Sequence, residues 1–353
     1  MKSTPWFLLL ATLLSTSVSL AAEATHKTDT ERHIPAHTLP VPNTVSPQLQ
    51  AMIAAGTLPV WNVHPQSVTE WKNWVKKWEA VSMKVLPELR EKMGVTVTPS
   101  VIAGVQVFTV IPKTITENNR DRLLLYVHGG GYVLFPGESG TSEAIMMASH
   151  DHIKVVAIDY RMPPDFPYPA GLNDVMSVYK EIVKTTDPKK LAIFGTSAGG
   201  GMLLSMVLRA KDEGLPLPGA IAAGTPWSDL TNTGDSYYTN ENVDNVLVTN
   251  NGLIRELANL YAHGHDLKDP FISPVYGDMH GFPPTILTSG TRDLFLSNTV
   301  RVHRKLREAG SIADLIVFEG MSHAQYMMLS PDAPESQQYF SELSAFFDKH
   351  LAK

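Results

Sequence analysis

The chain has 353 residues, 18% of them charged and 43% hydrophobic, with 29 Lys and Arg against 35 Asp and Glu, a formal net charge of −6. An acidic chain with no basic run argues against nucleic acid as the main partner. Cysteine is absent, which excludes a disulfide scaffold, a thiol nucleophile and thiolate metal sites, and a chain this long needs no such staple to hold its core.

Lys2, the apolar run Trp6–Leu14 and the small residues from Ser15 to Ala24 have the three-part layout of a secretory leader. The reading assigns residues 1–22 to a signal peptide, cleaved somewhere around Ala21 to Ala24. The run is shorter than the roughly 20 residues of a spanning helix. The expectation is a periplasmic or secreted protein with no stable membrane anchor.

From Glu23 to about Gln50 the chain is polar and punctuated by proline, and is expected to be extended. Ser67 to Lys92 predicts a helix. Ser67 can cap it, Glu70 follows three residues on, and Trp71, Trp74, Val75 and Trp78 fall on one face. Packing on a core is the plain reading of those tryptophans, and lining a substrate site is compatible with it.

Beyond Gly94 the pattern turns to strands. Ile102 to Ile111 alternates. Short buried-type runs follow at Leu123–Val127, Val155–Ile158, Leu191–Phe194, Ala220–Ala223, Thr285–Thr288 and Leu315–Phe318. Helical patterns lie between several of them: Gly171–Lys184, Gly199–Asp212, Ser297–Ala309 and, last, Gln337–His350. The prediction is an α/β fold with a mostly parallel central sheet flanked by helices, its opening strands able to form an antiparallel edge. About 60 residues separate Ala223 from Thr285, too many for a simple crossover. They predict an insertion with a helix near Gly252–His263, covering one end of the sheet.

Gly195-Thr196-Ser197-Ala198-Gly199 has the form G-x-S-x-G. A buried strand enters it and a helix leaves it, the context that a nucleophile elbow requires. The tight turn needs glycine and would lift the Ser197 hydroxyl clear of the sheet, with the Ala198 N–H aimed where an oxyanion would form. His128-Gly129-Gly130-Gly131-Tyr132 follows another buried strand, and its glycines can turn N–H groups inward. No phosphate-loop spacing is present.

A serine hydroxyl needs a base, and the base needs an orienting carboxylate. Asp293 and His323 lie just past two later strands, in the order Ser, Asp, His expected of this architecture. The other histidines are less well placed. The His-x-His pairs at 150/152 and 263/265 lack a matching carboxylate set, so neither metal nor cofactor is expected.

With these motifs in hand, the chain resembles the hormone-sensitive-lipase branch of the α/β-hydrolases over about Gly94 to Lys353. HGGGY at 128–132, DYRMPPDFPYPA at 159–170, GTSAGG at 195–200, DPFISP at 269–274, GTRD at 290–293 and GMSH at 320–323 stand in the branch's order. The resemblance implies Ser197 as nucleophile, Asp293 as acid and His323 as base. It implies oxyanion donors at Gly129, Gly130 and Ala198, with Asp159 and Arg161 bracing the oxyanion loop. It also implies a mobile cap from roughly Ser46–Lys92 and Ser228–His265. The domains then read as 23–95 for the polar segment and cap helices, and 96–353 for the catalytic domain with its cap insertion at about 228–265.

Trp71, Trp74, Trp227, Tyr237, Tyr238 and Leu247 offer the cap apolar surface, and Tyr132 and Trp227 are the candidate substrate-binding residues. Much of the branch has Asp where this chain has Thr196, which implies that a carboxylate network near the site is lost. The expected activity is carboxylesterase action on short- to medium-chain esters, with a small-molecule ester as partner and a homodimer left open. The stretch GTRDLFLSNTVRVHRKLREAG is also similar to monoterpene lactone hydrolases, making a lactone hydrolase the first alternative. A non-catalytic ligand-binding relative is the distant one.

Overall fold

The computed structural model describes residues 32, 34–59 and 61–353, so the expected leader lies outside the described residues. The described residues form two units, one ending at Pro40 and the other spanning Val41–Lys353. The first has no helix or strand among its described residues.

The second unit opens with α1 (Pro47–Ala54), where the sequence suggested extended chain up to Gln50. Ser46 caps it, accepting from Leu49 N, and Pro47 occupies the first turn, where no N–H is needed. α2 (Val68–Met93) starts as expected: the Ser67 hydroxyl accepts from Glu70 N, and Gly94 ends the helix in the left-handed region. Strand structure begins at Val95, ahead of the expected Ile102–Ile111: β1 (Val95–Ile102) and β2 (Val105–Pro112) fold into an antiparallel hairpin. Ala103 and Gly104 both have positive φ and make the turn inside what reads as one continuous strand.

β3 (Leu123–Val127), α3 (Ser142–Asp151) and β4 (Val155–Ile158) follow. Next come α4 (Ala170–Thr185), β5 (Leu191–Thr196), α5 (Ala198–Asp212) and β6 (Ala220–Gly224). The insertion after β6 contains the single turn α6 (Ser236–Thr239) and α7 (Arg255–Ala262). α7 is entered through a kinked turn at Asn250–Ile254. β7 (Thr285–Gly290), α8 (Leu296–Glu308), β8 (Ala313–Phe318), the single turn α9 (Gln325–Met328) and α10 (Pro334–His350) complete the chain.

The eight strands run in the order β1-β2-β4-β3-β5-β6-β7-β8. Pairing from β4 onward is parallel, and β1 and β2 form the antiparallel edge. Successive residues of β3 belong to opposite cores. Leu123, Leu125 and Val127 pack with α4 and α5, and Leu124 and Tyr126 with α3 and α10. Both faces are therefore covered, which is why these strands read as unbroken apolar runs. From β3 the chain adds β4 on one side and β5 on the other, so the carboxyl ends of β3 and β5 border a topological switch point. Among the described residues, no helix is long and apolar enough to cross a membrane.

Candidate active site

β5 runs into Ser197, whose backbone sits at φ 62° and ψ −124° before α5 begins at Ala198. This conformation costs a non-glycine residue strain and is held by its surroundings. Ser197 N donates to Gly224 O at 2.8 Å, and Ser197 O accepts from Gly201 N at 3.0 Å and Trp227 N at 2.9 Å. Glycine is required on either side of the serine. A Cβ at Gly195 or Gly199 would lie 2.3 or 2.0 Å from the Val127 carbonyl oxygen at the end of β3.

The loop after β3 passes directly over this turn. A Cβ at Gly129 would meet Thr196 O at 2.7 Å and the Ser197 Cβ at 3.4 Å. Gly130, Gly131 and Tyr132 all take positive φ, curling the loop around the serine. The Ala198 N–H lies in the first turn of α5 and has no intrahelical partner. Asp159 braces this loop as expected, accepting from Gly137 N at 2.8 Å. Arg161 does not: it clamps Asp174 of α4 through a forked pair. The loop's second brace is Tyr160, whose hydroxyl donates to His128 O at 2.9 Å and whose ring stacks on the His128 imidazole. Burial pushes His128 down to about 4, so it is neutral at pH 7.

β7 and β8 deliver Asp293 and His323 to the same end of the sheet. His323 Nε2 lies 2.9 Å from Ser197 Oγ, and Nδ1 lies 3.0 Å from Asp293 Oδ1. Both the imidazole and the carboxylate are buried. Burial raises the Asp293 carboxyl, but His323 and the hydrogen bonds from His323, Thr225 and Phe295 N outweigh it and hold Asp293 below its ordinary value. Asp293 Oδ1 accepts from Phe295 N at 2.8 Å, and Oδ2 accepts from the hydroxyls of Ser289, at 2.7 Å, and Thr225. Thr225 Oγ1 also lies 3.1 Å from His323 Nδ1. Ser197, Asp293 and His323 are thus brought together, with Gly129 against the serine, Ala198 following it and Gly130 lining the same cavity.

Sequence reasoning missed the hydroxyls that steady Asp293. It also inferred a lost carboxylate network, and the structure supplies one from elsewhere. Glu143, fully buried on α3, accepts from Thr196 Oγ1 at 2.8 Å and Tyr339 OH at 3.0 Å. Thr196 Oγ1 is also 3.2 Å from Tyr326 OH, three residues past His323. The carboxylate missing from the elbow is therefore replaced across space, behind the serine. Burial pushes Glu143 up to about 7 against the hydrogen bonds of Thr196, Tyr339 and Tyr126. No local pattern marks a lone glutamate on a helix for this place.

A cavity of about 280 Å³ opens on Ser197 and His323. Trp74 and Trp78 of α2, together with Leu58 and Trp61, line one side, and Val246, Leu247, Leu253, Ile254 and Leu257 of the insertion another. The tryptophan face of α2 is divided, since Trp71 belongs to the core. Trp227 lines the cavity, with its ring stacked on Phe295, which in turn meets His323 edge-on. Tyr132 is outside the cavity lining, contrary to its expected contact with substrate. Its positive φ turns the ring away to stack on Tyr261, and its hydroxyl donates to Trp227 O. Tyr237 is buried against Asn298, and Tyr238 points to solvent. His150/His152 and His263/His265 flank the ends of α3 and α7. Among the described residues, no three or more His, Asp or Glu cluster as metal ligands.

A family model of the alpha/beta hydrolase fold matches residues 124–327, and the chain belongs to that family. It is 29% identical over 226 residues to an acetyl-hydrolase of Streptomyces hygroscopicus, covering 64% of this chain and 75% of that one. It is 28% identical over 228 residues to an esterase of Acinetobacter venetianus, covering 64% and 74%. Among solved structures, esterase E25 matches with a TM-score of 0.88 at 42% identity, over 91% of this chain and 99% of its own. An esterase described as belonging to the bacterial hormone-sensitive lipase family matches with a TM-score of 0.73 at 25% identity, over 87% and 99%. The chain is a hydrolase of the hormone-sensitive-lipase branch, as its motifs implied.

Proposed function

We propose that this protein is a serine carboxylesterase that hydrolyses short- to medium-chain esters through an acyl-enzyme. The observation that carries the reading is the hydrogen-bonded line Ser197 Oγ–His323 Nε2 and His323 Nδ1–Asp293 Oδ1, at 2.9 and 3.0 Å, at the floor of an apolar cavity. The names of the relatives, acetyl-hydrolase and esterase, agree with it.

His323 Nε2 takes the Ser197 proton as the oxygen attacks the ester carbonyl. The N–H groups of Gly129, Gly130 and Ala198 receive the charge that develops on the carbonyl oxygen. His323 then gives its proton to the departing alkoxide, and the alcohol leaves. Water, deprotonated by the same imidazole, attacks the acyl-enzyme and releases the acid. Asp293, ionised throughout, fixes the tautomer with the proton on Nδ1 and stabilises the imidazolium. At about 280 Å³ the cavity falls just below the roughly 300–1,000 Å³ of sites that enclose drug-sized ligands, which favours small esters over triglycerides.

The test is hydrolysis of p-nitrophenyl esters from acetate to palmitate, with a δ-lactone alongside, by the intact protein and by Ser197→Ala. Activity that peaks at short chains and vanishes in the variant is expected. A folded protein inert on every ester, or a rate rising steadily toward palmitate, would overturn the reading.

A further inference from the structure

Asp244 lies in the insertion, some fifty residues from Asp293 and eighty from His323, and it is fully buried. Its two oxygens face four backbone N–H groups. Oδ1 accepts from Val246 N at 2.8 Å and Leu247 N at 3.0 Å, within its own loop. Oδ2 accepts from Leu294 N at 2.8 Å, immediately after Asp293, and from His323 N at a longer 3.4 Å. Val246 and Leu247 line the cavity. One carboxylate therefore joins the substrate-facing part of the insertion to both the loop carrying the acid and the loop carrying the base.

Neighbouring bonds follow the same plan. Asn245 N donates to Ser322 Oγ at 3.2 Å, and Asn240 Nδ2 donates to Asp293 O at 2.8 Å. Neither substitutes for Asp244, because neither contacts the N–H of His323 or Leu294. A buried carboxylate accepting several N–H groups is favoured in its charged form, and removing it leaves those donors unpaired.

We infer that Asp244 is a positioning residue for the triad, coupling the seating of the insertion over the cavity to the placement of Asp293 and His323. The inference rests on the serine-hydrolase reading above. The ionisable groups facing Asp244 are Asp293 and His323. Burial and the Asp293 charge push its carboxyl up to about 6, while His323 and the N–H groups of Leu294 and Leu247 pull the other way. Protonation places a hydrogen on an oxygen that already faces N–H donors. As pH falls through about 6, the clamp loosens.

The experiment follows the rate at which a fluorophosphonate labels Ser197 from pH 4.5 to 8.5, in the wild type, Asp244→Asn and the surface control Asp278→Asn, alongside kcat and KM for p-nitrophenyl acetate. Labelling needs only an activated serine, so it reads the triad even if simple esters are not substrates. An unlabelled wild type would sink the hydrolase reading itself. In the wild type, the labelling rate should fall as the pH drops through about 6, where Asp244 takes up its proton. Asp244→Asn should lower kcat by about ten- to a hundredfold with a much smaller change in KM, the scale of one disturbed charge-assisted hydrogen bond, and its profile should lack the fall near pH 6 that Asp244 causes. A wild-type labelling rate that stays level from pH 7 through pH 5 overturns the inference and requires no variant to fold. So does an Asp244→Asn protein that labels at the wild-type rate with the wild-type profile.

Discussion

Glu143→Gln tests the network behind the serine. Glu143 is fully buried, and its ordinary value of 4.5 is pushed up to about 7 by burial. Folding therefore binds the proton more tightly than the unfolded chain does. Its contribution to stability is full below pH 4.5, declines as pH rises through about 7, and is level above that. The interval from 4.5 to about 7, at about 1.36 kcal/mol per pH unit, corresponds to about 3 kcal/mol lost at pH 8. Glutamine keeps an oxygen for Thr196 Oγ1 and Tyr339 OH but carries no charge. Glu143 Oε2 has no partner in the protein, so the new amide nitrogen displaces no existing bond. The expected result is a variant that gains about 3 kcal/mol more over the wild type at pH 8 than at pH 4.5. Urea unfolding of both proteins at the two pH values measures it. An equal difference at both would show that Glu143 is ionised in the fold, and would refute the account of why burial raises it.

Three further outcomes follow from the site. Gly129→Ala drives a Cβ against the Thr196 carbonyl at 2.7 Å, a backbone contact that no side-chain rotation relieves. Displacing that donor should lower kcat by about 10²–10³ with KM little changed, whereas Gly56→Ala, whose Cβ meets nothing within 4 Å, should leave steady-state rates intact. Thr225→Val removes the hydroxyl on Asp293 Oδ2. A bond to a charged group is worth about 1.5–3 kcal/mol, so urea unfolding should show a loss of that order, and retention of full stability would argue against the bond. Leu247→Ala and Trp78→Ala enlarge the cavity from the insertion and from α2. Each should move the preferred p-nitrophenyl ester toward longer chains, and an unchanged profile would place the acyl group elsewhere.

The strand runs and the two glycine motifs could be read without the fold because they depend on near neighbours. Leu123–Val127 and Val155–Ile158 appear at the boundaries their apolar runs suggest. The elbow is a strand, a turn and a helix in sequence, and its glycines answer a close approach that any such turn makes. An antiparallel edge of opening strands was expected, but the place of its turn at Ala103–Gly104 was not legible, because a period of two carries no mark of where the strand reverses.

The composition and spacing of this chain determined that a parallel sheet forms and that Ser197, Asp293 and His323 stand at its strand ends. Side-chain alternation and glycine sterics act over a few residues, so they leave a record in the order of the amino acids. Tertiary packing decided the rest. It divided the α2 tryptophans between core and cavity and stacked Tyr132 on Tyr261, outside the cavity lining. It also brought Thr225 to Asp293, Asp244 to the backbone of Leu294 and His323, and Glu143 to Thr196 beside the serine, from three separate elements. A lone Glu, Thr or Asp has no period and no spacing rule. Its role arises only when burial removes water and leaves one protein group to satisfy each hydrogen bond.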